Sequence, residues 1–263
     1  MNICLFTPQE IDKPLDLRDE RAKHIITVLH KSEGDSFEAG IIGGKAGTAR
    51  ITKISRQELT APNGKSYTGG SMEFTFTAQS DGKPLYPLTM IIGFPRPIQL
   101  KRLLRDMAGL GADTIYLTGT ELGEKSYLKS DLATSEAGYG MLLQGTEQAA
   151  STHIPRLVKT PDLAYCLAQI KADSTTDEPP LLLALDNVRP VSSLTAYLAA
   201  YAKECATRRI VAAIGSERGW TENERNLLCS SGFTLLGMGK RVLRTETAAT
   251  VAASLILSAM GCL

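Results

Sequence analysis

What this sequence lacks narrows it first. The 263 residues carry no excess charge of either sign: 29 Lys and Arg against 28 Asp and Glu leave a formal net charge of +1. No global basic field advertises a polyanionic partner, so a nucleic acid would have to meet a local patch or a dimer groove. Cysteine is sparse and scattered: Cys4, Cys166, Cys205, Cys229 and Cys262 show no CxxC spacing. That favours reduced thiols in a cytoplasmic protein over a disulfide frame or a zinc site. The three histidines, His24, His30 and His153, have no ligand spacing, so no metal is expected. No apolar run reaches membrane-spanning length. The start, MNICLFTPQEIDKP, lacks the basic-then-apolar layout of a secretory signal. The common nucleotide loops are missing too: no GxGxxG opens a βαβ unit, and residues 232–240 miss the GxxxxGK[ST] spacing.

What is present is an ordinary globular composition, 43% hydrophobic and 22% charged, in a chain long enough to bury an ample core. Residues 2–7 read as a short strand. Asp16 or Asp19 can cap a helix carrying Ala22, Ile25, Ile26 and Leu29 on one face. Strand-like pieces follow at 36–39, 49–54, 59–61 and 72–78, the last with Met72, Phe74, Phe76 and Ala78 alternating with polar residues. The turn clusters GIIGGKAG and PNGKSYTGGS separate them, and together they predict a small β-barrel over about the first eighty residues.

Residues 81–84, DGKP, read as a hinge, after which the pattern changes. Strands are expected at 88–94, 114–117, 181–185, 209–214 and 233–236. Between them come a helix with Leu100, Leu103, Leu104, Met107 and Ala108 on one stripe, another over 135–150, and one opened by Thr160 as cap with Pro161 in its first turn. Residues 172–180 are a polar connector and 191–206 a helix. The run TENE from Thr221 is a capping box, and Ala248, Val251, Ala252, Leu255, Ile256 and Ala259 form the last apolar stripe. Alternating strands and helices predict an α/β domain with a largely parallel sheet. The expected domains are 1–82 and 83–263.

Three strand-to-helix junctions fall at Asp186-Asn187, at 214–220 (IGSERGW) and at 237–245. In open α/β sheets the ligand crevice lies at the carboxyl ends of the strands, which makes these loops the natural site. Glycines there allow positive φ and close backbone approach, although any single one is as well explained by a tight turn. Arg241, Arg244 and Glu246 flank the start of the last helix. A carboxylate there suits the helix dipole, but two arginines at a positive helix end point to an anionic ligand or a developing oxyanion. Trp220 either stacks on a base or is a buried staple ahead of its helix.

The segment LLGMGKRVLRTETA resembles the C-terminal motif of the RsmE-type SPOUT methyltransferases, close to LGxRILRTETA. IGSERGW followed by TENE is similar to that family's IGPEGG-F-S-x-x-E loop. HIITVLHKSEGD resembles its H-x-x-x-VLR-x-x-x-GD segment, and Glu147-Gln148 with Ile154-Pro155 its EQ…VP stretch. The resemblance implies an N-terminal PUA-like barrel that binds RNA and a C-terminal α/β domain tied in a deep trefoil knot. It also implies a cytoplasmic homodimer, unattached to membranes, that methylates N3 of a uridine in 16S ribosomal RNA of the small ribosomal subunit. S-adenosylmethionine would lie among the three loops. Its implied contacts are Leu185 at one strand end, Gly215, Glu217 and Gly219 in the second loop, and Leu236, Met238, Val242, Leu243 and Thr245 in the third. Arg244 and Glu246 are the catalytic candidates: Arg244 would stabilise the imide anion, while Glu246 and Glu217 compete for the base or cofactor-ordering role. Departures from the family pattern are Ser216 and Arg218 for a proline and a glycine, and Asp106 and Gly109 for a lysine and a glutamate. His30, Ser151 and His153 stand where the family has arginines. A non-catalytic RNA-binding paralogue and a methyltransferase acting on another RNA are the alternatives.

Overall fold

The computed structural model describes residues 2–60, 66–130, 136–173 and 178–263. The chain divides into two compact units, Met1–Pro84 with Glu147–His153, and Leu85–Thr146 with Ile154–Leu263.

The first unit is a curled five-stranded sheet in the order β1-β3-β4-β5-β2. Its strands are β1 (Cys4–Phe6), β2 (Leu15–Asp16), β3 (Ser36–Ile41), β4 (Ala46–Thr60) and β5 (Ser66–Ser80). β1 runs parallel to β3, and the other pairings are antiparallel. The two outer strands share one core, in which Cys4 and Phe6 of β1 and Leu15 of β2 join Phe37, Ile51, Met72 and Phe74. A sheet whose opposite edges meet one core must curl. The piece read at 49–54 and residues 59–60 of the next belong to one long strand; residue 61 lies outside the described residues. Asp19 is the cap of α1 (Glu20–Lys23), accepting from Arg21 N–H at 2.9 Å. The expected helix does not continue as α: His24–Val28 widens into a π turn, with Ala22 of α1 and Ile25 of the turn buried and Leu29 exposed. The segment 147–153 completes this unit: the Asn2 and Ile3 N–H groups donate to Glu147 O, and Gly43 N–H donates to Thr152 O at 2.7 Å.

The second unit is a seven-stranded parallel sheet, ordered β10-β12-β9-β11-β6-β7-β8. The strands are β6 (Tyr86–Gly93), β7 (Ala112–Thr118), β8 (Arg156–Thr160), β9 (Leu181–Leu185), β10 (Ser192–Ser193), β11 (Ile210–Ile214) and β12 (Thr234–Gly237). Alternate side chains of one strand enter different cores. Leu88, Met90 and Ile92 face one side, and Ile91 the other. Apolar residues on both faces make the central strands read as unbroken hydrophobic runs. On the first face α8 (Thr245–Ala259) packs against α2 (Pro97–Leu110), α5 (Leu194–Ala200) and α6 (Ala202–Thr207). On the other lie α4 (Leu163–Asp173) and α7 (Glu222–Ser230). The remaining helix, α3 (Glu136–Gln148), covers most of the helix expected at 135–150, residue 135 lying outside the described residues.

Three expectations need correction. Thr160 remains in β8, and the cap of α4 is Asp162, whose side chain accepts from Tyr165 N–H at 2.8 Å. The helix expected at 191–206 starts later, because Ser192 and Ser193 pair with β12 and Ser193 then caps α5, and it is two helices, broken at Tyr201 (φ −110°, ψ 31°). Strand β8 has no counterpart among the expected strands.

Candidate active site

Three loops leave the carboxyl ends of β9, β11 and β12, neighbouring strands of the second unit. They enclose a cavity of about 270 Å³. Leu185, Asp186 and Asn187 contribute from the first loop and Ile214 through Trp220 from the second. Met238, Gly239, Arg241, Val242 and Leu243 contribute from the third, with Thr245 and Ala248 of α8 beneath.

Each loop is held by named bonds. Asp186 accepts from Val188 and Arg189 N–H at 3.2 and 2.6 Å, and from Arg225 Nε at 3.0 Å. The Asp186 and Arg225 side chains are only 1% and 8% exposed, so the pair is a buried anchor beneath the first loop. In the second loop Ser216-Glu217-Arg218-Gly219 is a tight turn, closed by Gly219 N–H on Ser216 O at 2.8 Å, with Gly219 at φ 73°. A Cβ at Gly93, the last residue of β6, would lie 2.3 Å from Ser216 N, so that glycine admits the loop. Trp220 is buried and donates from Nε1 to Leu185 O at 3.1 Å. It therefore staples the second loop to the first rather than offering an open stacking face. Thr245 Oγ1 lies 3.5 Å from Gly215 O, a long hydrogen bond joining the second loop to α8. Ser216 Oγ is buried and has no hydrogen-bond partner.

Of the candidates named from the sequence, Leu185, Gly215, Glu217, Gly219, Met238, Val242, Leu243 and Thr245 line the cavity. Leu236 does not: it pairs with Leu185 in the sheet and its side chain belongs to the core. Arg244 and Glu246 do not line it either. Arg244 is the exposed N-cap of α8, and Glu246 is buried in that helix's first turn. Arg96, the N-cap residue of α2, carries no motif that marks it in the sequence, yet its Nε lies 3.2 Å from Glu217 Oε1. Glu217, and after it Tyr127, raises the pKa of that guanidinium above its ordinary value. Arg225 was missed as well, because a lone arginine inside a helix gives no hint of a partner 39 residues away.

The departures from the family motifs have local roles. Asp106 of α2 accepts from Thr250 Oγ1 of α8 at 3.3 Å. Ser151 Oγ donates to Lys83 O at 3.0 Å within the first unit. His30 sits at φ 52° beside Lys31, Glu33 and Arg56 in an open cleft of that unit. Among the described residues no group of three or more His, Cys, Asp or Glu could hold a metal, and no helix is long and apolar enough to cross a membrane.

Comparison with known proteins adds the relationship. Residues 81–257 match the model of an RNA methyltransferase domain, and residues 17–61 that of an RNA methyltransferase PUA domain. A ribosomal RNA small subunit methyltransferase E of Treponema pallidum is 41% identical over 266 residues, spanning 98% of this chain and 91% of that one. The protein named ribosomal RNA small subunit methyltransferase E 1 in Borreliella burgdorferi is 29% identical, spanning 97% of each. Among solved structures, a Legionella pneumophila methyltransferase with bound S-adenosylmethionine superposes with a TM-score of 0.70 at 20% identity, covering 98% of both chains. A Neisseria gonorrhoeae ribosomal RNA small subunit methyltransferase E, also with S-adenosylmethionine, gives 0.68 at 20% identity, covering 98% of this chain and 97% of that one. At such identities the likeness speaks for the fold.

Proposed function

The chain belongs to the RNA methyltransferase family, beside the ribosomal RNA small subunit methyltransferases E, and on that premise we propose that it methylates N3 of a uridine in 16S ribosomal RNA with S-adenosylmethionine. The observation that carries the reading is the cavity at three adjacent strand ends. Its walls suit an adenosyl group: Leu185, Ile214, Leu243 and Ala248 offer apolar surface, and the glycine turns bring backbone close. When bound, the cofactor supplies an electrophilic methyl group on a cationic sulfur.

Uridine N3 must lose its imide proton before it can accept that methyl, leaving negative charge over N3, O2 and O4. Arg244, exposed at the start of α8, stabilises this charge. Of the two carboxylates, Glu217 lines the cavity and is the group available to take the proton, directly or through water. Glu246, enclosed in the first turn of α8, orders the loop through its favourable place at the positive helix end. Leu236 contributes from behind, by holding the β9 and β12 strand ends together.

We assign RNA binding to residues 1–82 and methyl transfer to 83–263, the latter with its chain threaded as a trefoil knot. The working form is a cytoplasmic homodimer. Primer-extension mapping of 16S ribosomal RNA in a deletion strain tests the reaction. A uridine stop that disappears on deletion and returns with the wild-type gene is expected. Loss of a modification from transfer RNA instead would overturn the substrate.

A further inference from the structure

We infer that Arg96 is a positioning residue for methyl transfer, holding the Glu217 carboxylate in place from the side opposite the cavity; this rests on the reading of Glu217 as the group that takes the uridine proton. Strand order sets the arrangement. β11 lies between β9 and β6, so the loop after β11 has the cavity on one side and the loop after β6, which carries Arg96, on the other. Glu217 meets both: its side chain lines the cavity, and its Oε1 lies 3.2 Å from Arg96 Nε. The Tyr127 hydroxyl, from the loop after β7, is the second partner of the same guanidinium. Arg96 thereby ties the loops after β6 and β7 to those that enclose the cavity.

Nothing in α2 itself accounts for an arginine at this place. Ser, Thr, Asp and Asn are the favoured caps, and the Arg96 side chain makes no capping bond. A cation at a helix start also opposes the helix dipole. The backbone is settled without the guanidinium: Pro97 restricts the residue before it to extended conformations, and Arg96 is at φ −54°, ψ 140°. Stability does not account for it either. With the two side chains 61% and 36% exposed, such an ion pair adds little. What the pair fixes is where the carboxylate stands. Glu217 lies inside the turn that Gly219 N–H closes onto Ser216 O, and Gly93 abuts Ser216 N from β6, so its backbone is held. The side chain beyond that backbone rotates unless a partner stops it. A cation on one oxygen does so and leaves the other free to accept a proton. Placement of this kind matters to rate, since a misplacement of about 1 Å can cost ~10²-fold.

The test is steady-state methyl transfer from S-adenosylmethionine to small ribosomal subunits purified from a deletion strain. The full chain is compared with its Arg96→Ala, Arg96→Lys and Glu217→Gln variants, and each is titrated with S-adenosylmethionine by calorimetry. Arg96→Ala should lower kcat ~10-fold, with the KM for subunits, the cofactor dissociation constant and the melting temperature at wild-type values. Arg96→Lys should recover most of the rate, because a single ion-pair contact needs a cation rather than the guanidinium fork. In the Glu217→Gln background, Arg96→Ala should cost nothing further. A wild-type kcat for Arg96→Ala would overturn the inference. So would a raised KM at unchanged kcat, which would make Arg96 an RNA contact, or an alanine effect that persists in full when residue 217 is glutamine. Two other results would remove the premise instead. Glu217→Gln turning over at the wild-type rate takes Glu217 out of the proton transfer, and a wild type that binds no S-adenosylmethionine removes the methyltransferase reading; the role of Arg96 falls with either.

Discussion

Asp186 and Arg225 form the most enclosed ion pair among the described residues, directly beneath the first cavity loop. Removing one partner of such a pair strands a buried charge. Arg225→Ala should therefore cost about 3–5 kcal/mol in urea unfolding. It should weaken cofactor binding as well, because Asp186 also organises the Val188 and Arg189 amides. A half-buried pair behaves differently. Hydrogen bonding from Arg21 holds the Glu10 carboxyl down at about 2 from its ordinary 4.5, against the opposing effect of burial. A carboxyl depressed on folding stabilises the native state above its unfolded pKa and loses that contribution as pH falls through the folded value. Hence Glu10→Ala should lower the melting temperature at neutral pH, and the gap to wild type should close between about 4.5 and about 2. A gap that persists in acid would refute the electrostatic origin. For catalysis, Arg244→Ala should slow methyl transfer by roughly 10²–10³ with cofactor affinity unchanged. A wild-type rate would remove Arg244 from the chemistry.

The capping box of α7 carries two jobs. Thr221 Oγ1 accepts from Glu224 N–H, and Glu224 Oε2 accepts from Thr221 N–H, but Glu224 Oε1 also accepts from Glu121 N–H in the loop after β7. Thr221→Ala should cost about 1 kcal/mol. Glu224→Ala should cost clearly more by urea midpoint, because it frees two backbone donors instead of one; equal losses would deny Glu224 its second role. The first job is legible in the letters TENE, since cap and partner are three residues apart. The second spans 103 residues and leaves no local trace. The same divide runs through the molecule. The central strands could be read because burial on both faces makes them continuous apolar runs. β8 could not, since RLVKT is a short edge strand with mixed polarity, paired with β7 alone in the sheet. The break at Tyr201 has no glycine or proline to mark it. The cavity loops were readable from their glycines and charges at strand ends, whereas the Arg96 contact with Glu217 depends on how distant loops converge.

At the scale of the whole chain, every residue lining the cavity belongs to the second unit. A fragment spanning 85–263 should bind S-adenosylmethionine like the full protein, and a loss of binding would show that the first unit supports the cavity. The converse cut is less clean, because 147–153 is part of the first unit. Residues 1–84 alone should melt lower than the same fragment carrying 147–153 on a flexible linker; coincident melting curves would deny the segment a structural role. The interleaving also bears on the order of synthesis. The ribosome finishes Pro84 well before it reaches Glu147, and at roughly 5–20 residues per second the delay amounts to seconds. During that interval Asn2, Ile3 and Gly43 lack the carbonyls they bond in the finished fold. The domain translated first is thus completed by a segment emerging midway through the second, so a nascent chain arrested before Glu147 should expose its N-terminal sheet to protease until elongation resumes.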